Sequence, residues 1–454
     1  MHTPNQYVAA ALHSGAIDPQ FVIDRLEDKH RAPLIEIGLN SSYVLEEARR
    51  ARSRRWMRDS LLLVPAFPIM GGLIEYIDHS YMDFLDAIGP MLPYFFLVAL
   101  IVFVHQVISN GYVKKLISVE TPKPPSSSDH NVVVSGGYSP FAGYGFDLDS
   151  WSFTVDTTKP SSGKENSWIV SSPTELLDYV SSAVVSNIAS ATYEDKIFVN
   201  GKDIRNNKSI LEFPTVTPHT SIPEEAVRDK IGQTDEHIRH YRVISIPIWA
   251  GHLHLSIFLR FAISGTNLFA EARYFLLSPL QDRLMDLDNA PMRRGAHYYW
   301  GLFVMSSIKS IIAWIRGPLL LFHLLGKFQK HIAIAIFGDP EDKVKIRSTT
   351  YNYGHAVSLR EAWSTPKYHR YFQMLDKDMT YKVSQHIVMN SIVDFLESRG
   401  VSTEDVKERR TTIFNSGVIV SGGTVNTNHI AVGKGAAIKT KVMQAFRPDT
   451  GKVQ

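Results

Sequence analysis

Two apolar stretches, Leu61–Ile77 and Met91–Ser109, stand near the front of a chain whose remaining pattern is that of a soluble protein. Each holds about 17 to 19 residues, and at ~1.5 Å per helical residue that approaches the thickness of a bilayer core. Arg49, Arg50, Arg52, Arg54, Arg55 and Arg58 precede the first, and Lys114 and Lys115 follow the second. The connecting segment DHSYMDFLDAIGP carries Asp78, Asp83 and Asp86 and neither lysine nor arginine. Positive residues resist translocation, so the pattern predicts a transmembrane α-helical hairpin with both termini cytoplasmic. Arg54, Arg55, Arg58, Lys114 and Lys115 are its expected anchors at the membrane border. Pro65, Pro68, Gly71, Gly72 and Glu75 interrupt the first stretch. A paired helix can satisfy the backbone groups freed there, and Gly71-Gly72 permits its close approach. The competing reading of each stretch is a buried helix of a soluble core.

Around this hairpin (residues 59–115) the pattern divides the chain. Residues 1–58 read as a polar helical segment, with helices over Gln20–Leu26 and Tyr43–Arg55. TPKPPSSSDHN marks a Pro/Ser linker at 116–131. Residues 132–290 read as a cytosolic α+β domain. In it WSFTVD alternates like a half-buried strand, and Leu176, Leu177, Val180, Val184 and Ile188 recur at helical spacing. KIFVNG and RVISIPIWAGHLHLSIFLRFAIS supply further strands, and Asn267–Leu287 is expected as a long helix. Between 291 and 345, the apolar run His297–Gly338 is punctuated by Lys309, Arg316, Lys327 and Lys330, which suits amphipathic helices lying in the headgroup layer. A spanning pair broken at Arg316-Gly317-Pro318 and an amphipathic core helix are the alternatives. A helical domain is expected at 346–411. Its long amphipathic helix, Tyr368–Arg399, carries Phe372, Leu375, Met379, Val383, Ile387, Ile392, Phe395 and Leu396 as a packing face.

Residues 412–454 form a Gly/Val-rich tail. Val418, Ile419, Val420, Thr424, Val425, Ile430 and Val432 are separated by glycine and asparagine, and Thr412–Ile438 has no proline and no acidic residue. Such segments pair readily as strands, either in a docked hairpin or between chains. The sharper expectation is a homotypic assembly element built on Val418, Val420, Val425, Ile430 and Val432.

The net charge of +3 does not suggest a nucleic-acid partner, because the basic residues cluster at the membrane borders. With no cysteine in the chain, disulfides, thiol catalysis and thiolate metal sites are excluded. Met1–Arg25 lacks the basic start and apolar core of a cleaved signal. Candidate chemistry is sparse. SGGYSPFAGYG (135–145) lacks the Gly-Lys-Ser/Thr ending of a phosphate loop and reads as a flexible surface loop with Phe141 and Tyr144 as contact residues. His237, His240, His252 and His254 gather within 18 positions, and neutral imidazoles so placed are weak zinc candidates. His254-Leu255-Ser256-Ile257 matches half of a two-histidine phosphoesterase signature, with a poor partner at His219-Thr220-Ser221. Glu271, Arg273 and Asp282 read as a solvated helix face. No catalytic residue and no cofactor emerges.

VVVSGGYSPFAGYGFDLDSWSFTVD, YNYGHAVSLREAW, HRYFQMLDKDM and NSGVIVSGGTVNTNHIAVGKGA resemble segments, in the same order, of a group of uncharacterised actinobacterial (Streptomyces-type) membrane proteins. That resemblance implies an architecture and no functional residues. The expected function is therefore a membrane-anchored cytosolic scaffold or sensor, non-enzymatic, working through protein–protein or homotypic contacts at the bilayer of a bacterial cell membrane. The alternatives are a membrane-perturbing or channel-like effector and a membrane-tethered histidine- or metal-dependent hydrolase.

Overall fold

The computed structural model describes residues 2–78, 89–118, 122, 130–161, 173–233, 235–285 and 295–414. The expected tail, including Val418, Val420, Val425, Ile430 and Val432, lies outside the described residues, as do most of the linker and the loop between the apolar stretches.

Runs of β-branched and aromatic residues build a six-stranded sheet, comprising β1 (Val132–Ser135), β2 (Phe146–Asp156), β3 (Thr192–Asn200), β4 (Ile238–Ile248), β5 (Leu253–Ser264) and β6 (Asn267–Leu277). Their spatial order is β1-β3-β4-β5-β6-β2, parallel between β1 and β3 and antiparallel elsewhere. β6 replaces the first half of the helix expected over Asn267–Leu287. The segment NLFAEARYFLL is rich in helix formers, but Leu268, Ala270, Ala272 and Tyr274 repeat at period two and are all buried. Pairing on both sides, with β5 and with β2, overrides local propensity. Only a short helix, Asp282–Met285, follows.

One face of the sheet carries Trp151, Phe153, Ile244, Ile246, Leu255, Ile257, Leu259 and Tyr274. It is covered by α5 (Thr174–Asn187) and by α11 (Tyr371–Ser398), whose Val388, Met389, Ile392, Phe395 and Leu396 enter the same core, with Val406 of α12 (Glu404–Phe414). Thus the 346–411 segment, expected as a separate helical domain, shares its core with 132–290. The other face is closed by chain rather than by helices. Phe141 and Tyr144 of the glycine-rich loop, 5% and 1% exposed, plug an aromatic cluster with Phe198, Tyr241, Phe258 and Phe275. This loop is therefore a core element and not the flexible contact loop that its composition suggests.

The N-terminal segment adds α1 (Pro4–Ser14), α2 (Pro19–Leu26) and α3 (Ser41–Asp78). Thr3 and Gln6 form a capping box on α1, and Asp18 caps α2. Tyr7, Leu12, Val22 and Val44 from this segment bury against Leu280, Leu284, Leu359 and Trp363, so it too joins the main body. α3 runs unbroken through Pro65 and Pro68. α4 (Leu92–Ser118) returns beside it, with Leu62 packed on Val98 and Val102. Among the described residues one helical segment, Leu92–Leu116, is long and apolar enough to cross a membrane.

The stretch after 295 is neither a broken pair nor a set of short helices. It is one 42-residue helix, α8 (Ala296–Phe337), about 63 Å long at ~1.5 Å per residue. α8 packs on α4, where Asn110 donates to the Tyr298 hydroxyl (2.8 Å), the Ser306 hydroxyl donates to Gln106 (3.2 Å), and Phe303 meets Phe103. Both flanks of α8 are bound to the same body. Before it, the Gln281 amide donates to the Trp363 carbonyl. After it, α9 (Pro340–Arg347) is held as Asp339 faces His30 at 3.3 Å and Arg205 donates to the Lys345 carbonyl at 2.7 Å.

Candidate functional site

The four histidines are dispersed. His237 is exposed near Asp203, 3.7 Å away. His240, on the helix-covered face of β4, lies 2.9 Å from Asp195, which also binds Arg242 at 2.7 and 2.9 Å. Arg242 reaches on to Asp178 and Ser181 of α5. Burial pushes the Asp195 carboxyl up, but the hydrogen bonds from His240 and Arg242 outweigh it and hold it well below the usual carboxylate range. His254 sits on the opposite face, with the parity of Phe258. The strand register places it against Pro247, seven residues along β4 from His240. Among the described residues no group of three or more histidine and acidic side chains is placed to hold a metal ion.

His252 and His254 instead join a buried polar junction that sequence reasoning did not foresee. Glu36, from the strap between α2 and α3, accepts from the backbone amides of Leu359 and Arg360, both at 2.8 Å. These begin the single turn α10 (Leu359–Ala362). The Arg360 side chain is fully buried, and its Nη2 donates to the His252 carbonyl at 2.9 Å. Burial pushes Glu36 up to about 7, against the pull of the two amides and of Arg25 and Arg360. Burial lowers His254 to about 4, with Arg360 adding to the effect. It also lowers His252, whose ring nitrogen bonds the His2 carbonyl at 2.7 Å. Both imidazoles are therefore neutral at physiological pH.

The turn above the junction is strained. Trp249, Ala250 and Gly251 all have positive φ (55°, 54° and 84°), and for the first two this costs ~1–2 kcal/mol each. The Trp249 indole donates to Asp376 of α11 at 2.8 Å, and the His252 amide closes on the Trp249 carbonyl.

A second polar group crosses the sheet face carrying Phe258. Lys196, Tyr241, Arg260, Glu271 and Ser152 are in register across five strands. Glu271 is the hub, accepting from Arg273 Nε (2.7 Å) and the Tyr241 hydroxyl (3.3 Å), with Arg260 at 3.8 Å. Glu271 and Arg273 are thus a cross-linked strand pair rather than the solvated helix face expected. The one available signal was Arg260 standing alone within the apolar run IFLRFAIS.

The expected membrane anchors divide. Lys114 and Lys115 are exposed. Arg54 stacks on Tyr112, 3.4 Å from the ring centre, Arg55 donates to the Leu12 and Ile17 carbonyls, and Arg58 binds Asp59. Arg54 and Arg55 therefore fasten α3 to its neighbours. The apolar stripe of α11 divides as well. Its C-terminal half is core, whereas Tyr371, Phe372, Leu375, Met379 and Val383 are 41–69% exposed at near four-residue spacing. The expectation that the whole stripe packs fails there, because these turns face the body with another side, on which Gln373 is buried and Asp376 accepts from the Trp249 indole.

Residues 150–426 match the family described as the AbeC-like domain, a span from β2 through α12 and into the tail. No curated protein matches this chain, and no solved structure does. Because that span exceeds half of the sequence, the chain belongs to the AbeC-like domain family.

Proposed function

We propose that this protein is a membrane-anchored scaffold or sensor that acts at the cytoplasmic face of a bacterial cell membrane through contacts with other copies of itself. The observation that carries the reading is the uncovered apolar face of α11, Tyr371 to Val383, on a body whose first helices run into an apolar hairpin. Contiguous exposed apolar surface of this kind is characteristic of association sites. α4 supports the anchor, and Leu61–Ile77, continuous with α3, supplies the second span. A single crossing by α8 would put its two flanks on opposite sides, yet both are bound to one body, so we read it as a helix of the membrane border rather than a further span. The likeness of several segments to actinobacterial membrane proteins agrees with the location.

The chain has no cysteine, so Met379→Cys introduces its sole thiol. A short bis-maleimide applied to native membranes is expected to trap a covalent dimer of this variant, with Ser152→Cys on the exposed edge strand remaining monomeric. Monomer alone from Met379→Cys overturns homotypic contact through α11.

A further inference from the structure

A helix bundle in water turns polar residues outward and apolar ones inward. The long helices α3, α4 and α8 do the reverse over part of their length. The seam between α4 and α8 holds polar groups: Ser306 is fully buried and donates to Gln106, and Asn110 donates to the Tyr298 hydroxyl. The outward positions are apolar. On α4, Phe96, Leu100, Val104 and Ile108 recur every four residues, and all are exposed. On α3, Leu61, Val64 and Phe67 are exposed as well. On α8, Val304, Met305 and Ile308 are 42–56% exposed.

Two contacts bring the three helices to a common level. The Arg54 guanidinium lies 3.4 Å from the centre of the Tyr112 ring, which sets that turn of α3 beside the end of α4. The Asn110–Tyr298 bond sets the first turn of α8 there too. At this level Trp56 and Trp300 are exposed, 56% and 69%, and Lys114 and Lys115 are exposed on α4. On the far side of it, residues 61–67 of α3, 92–109 of α4 and 301–308 of α8 include no lysine, arginine, aspartate or glutamate. Tryptophan and cations gathered at one level, with uncharged apolar surface beyond, mark the boundary between water and lipid.

We propose that α8 enters the cytoplasmic leaflet beside α4 with its first turns. Phospholipid acyl chains then cover Val304, Met305 and Ile308, and headgroups surround Trp56, Trp300, Lys114 and Lys115. The inference rests on the membrane anchor proposed for α3 and α4, and it adds a third, partly inserted helix. From Tyr298 to Ile308 the rise is ~15 Å, which stays within one leaflet of a ~30 Å core. The far flank of α8 returns to the body, where Asp339 faces His30, so the insertion does not become a crossing. A second protein copy would cover one side of such a bundle. Here the exposed apolar residues occur on all three helices and end together at one belt, which fits lipid.

The test uses the full chain, which has no cysteine of its own, in vesicles of phosphatidylethanolamine and phosphatidylglycerol. Nitroxides are attached to Trp300→Cys, Val304→Cys and Ile308→Cys, three exposed positions about one turn apart on α8. Val104→Cys on α4 is the lipid reference and Tyr138→Cys the water reference. Oxygen partitions into acyl chains and a nickel chelate stays in water, so the ratio of their collision rates rises with depth. That ratio is expected to climb from Trp300→Cys to Ile308→Cys, ending severalfold above Tyr138→Cys and close to Val104→Cys. Equal ratios at the three positions, or water-like values at all of them, overturn the insertion, and a lipid-like Val104→Cys then leaves the anchor standing. Shielding of Val304→Cys and Ile308→Cys from both reagents overturns it in favour of a protein cover. A water-like Val104→Cys removes the anchor itself, and the insertion with it.

Discussion

Phe141→Ala tests whether the glycine-rich loop is structural. The Phe141 ring is 5% exposed, and its centre lies 4.5 Å from Phe258, 5.0 Å from Phe275, 5.2 Å from Tyr241 and 5.3 Å from Phe198. Those neighbours belong to four different strands, so none can close the hole alone by a rotamer change. Truncating a buried phenylalanine to alanine costs ~3–5 kcal/mol, and limited collapse favours the upper part of that range. Against a typical net stability of ~5–15 kcal/mol this is a large fraction. It corresponds to a fall of about 6–20 °C in thermal midpoint for a body of this size. Tyr138→Ala, three residues earlier in the same loop, is the control. That ring is wholly solvent-exposed, and its removal should stay within ~0.5 kcal/mol of wild type. Unfolding of the detergent-solubilised chain, followed by near-UV dichroism, separates the two. If Phe141→Ala melts within about 2 °C of wild type, or Tyr138→Ala costs as much, the loop is not the plug of this core.

Glu36 carries a sign that can be checked. Its carboxyl is neutral up to about 7 in the folded state but ionises near 4.5 when unfolded, so wild type loses stability as pH rises between those values. Glu36→Gln should therefore gain on wild type across that window, by up to about 3 kcal/mol at pH 7.5 and little at pH 4. The comparison is between variants because His252, His254 and His355, all lowered, push the opposite way in both. A constant gap from pH 4 to 8 in thermal midpoints defeats the assignment. Arg242→Met strands the largely buried Asp195 and should cost ~3–5 kcal/mol in urea unfolding, with part restored in the double variant with Asp195→Asn; no restoration means that the pair is not coupled. For the proposed topology, Ser80→Cys, between Leu61–Ile77 and Met91–Ser109, should react with an impermeant maleimide on intact cells. Tyr138→Cys on the body and Phe337→Cys at the end of α8 should react only after lysis. Labelling of Phe337→Cys from outside contradicts a surface-lying α8.

Local pattern reached as far as local physics decides. WSFTVD became a strand because period-two burial and composition agree there, whereas KIFVNG and the two runs around Trp249 are short β-branched and aromatic runs buried on both faces. Over Asn267–Leu287, Ala, Glu, Arg and Leu favour a helix, and pairing with β5 across the two-residue Gly265-Thr266 turn and with β2, more than a hundred residues earlier, selects the strand. Loop 135–145 was misread for a related reason. Glycine spacing reports backbone freedom, whereas the burial of Phe141 and Tyr144 depends on four strands contributed from elsewhere.

The histidines show the same division more sharply. His-x-His spacing predicts His252 and His254 on one side of a strand, but only His254 lies on β5 while His252 closes the turn before it, and their surroundings depend on the strap at Glu36 and on Arg360, 108 residues beyond His252. No local pattern links those three segments, so the charged junction could not be read from any of them. Its position nevertheless has a consequence for the anchor. Glu36 is five residues before Ser41, where α3 begins, and Asn40 between them caps that helix by accepting from the Tyr43 amide at 3.0 Å. Asn40 also donates its amide to Asn5 of α1, and Arg55 fastens α3 to the Leu12 and Ile17 carbonyls. A displacement of α3 along its axis is thus resisted first by neutral and charge-assisted bonds at its N-terminal base. Only beyond them does it reach the strap that holds Glu36 on the amides of Leu359 and Arg360. The proposed membrane anchor and the buried charge are therefore neighbours along the chain, separated by one capped helix start, although nothing in the apolar pattern of 61–109 announces the second.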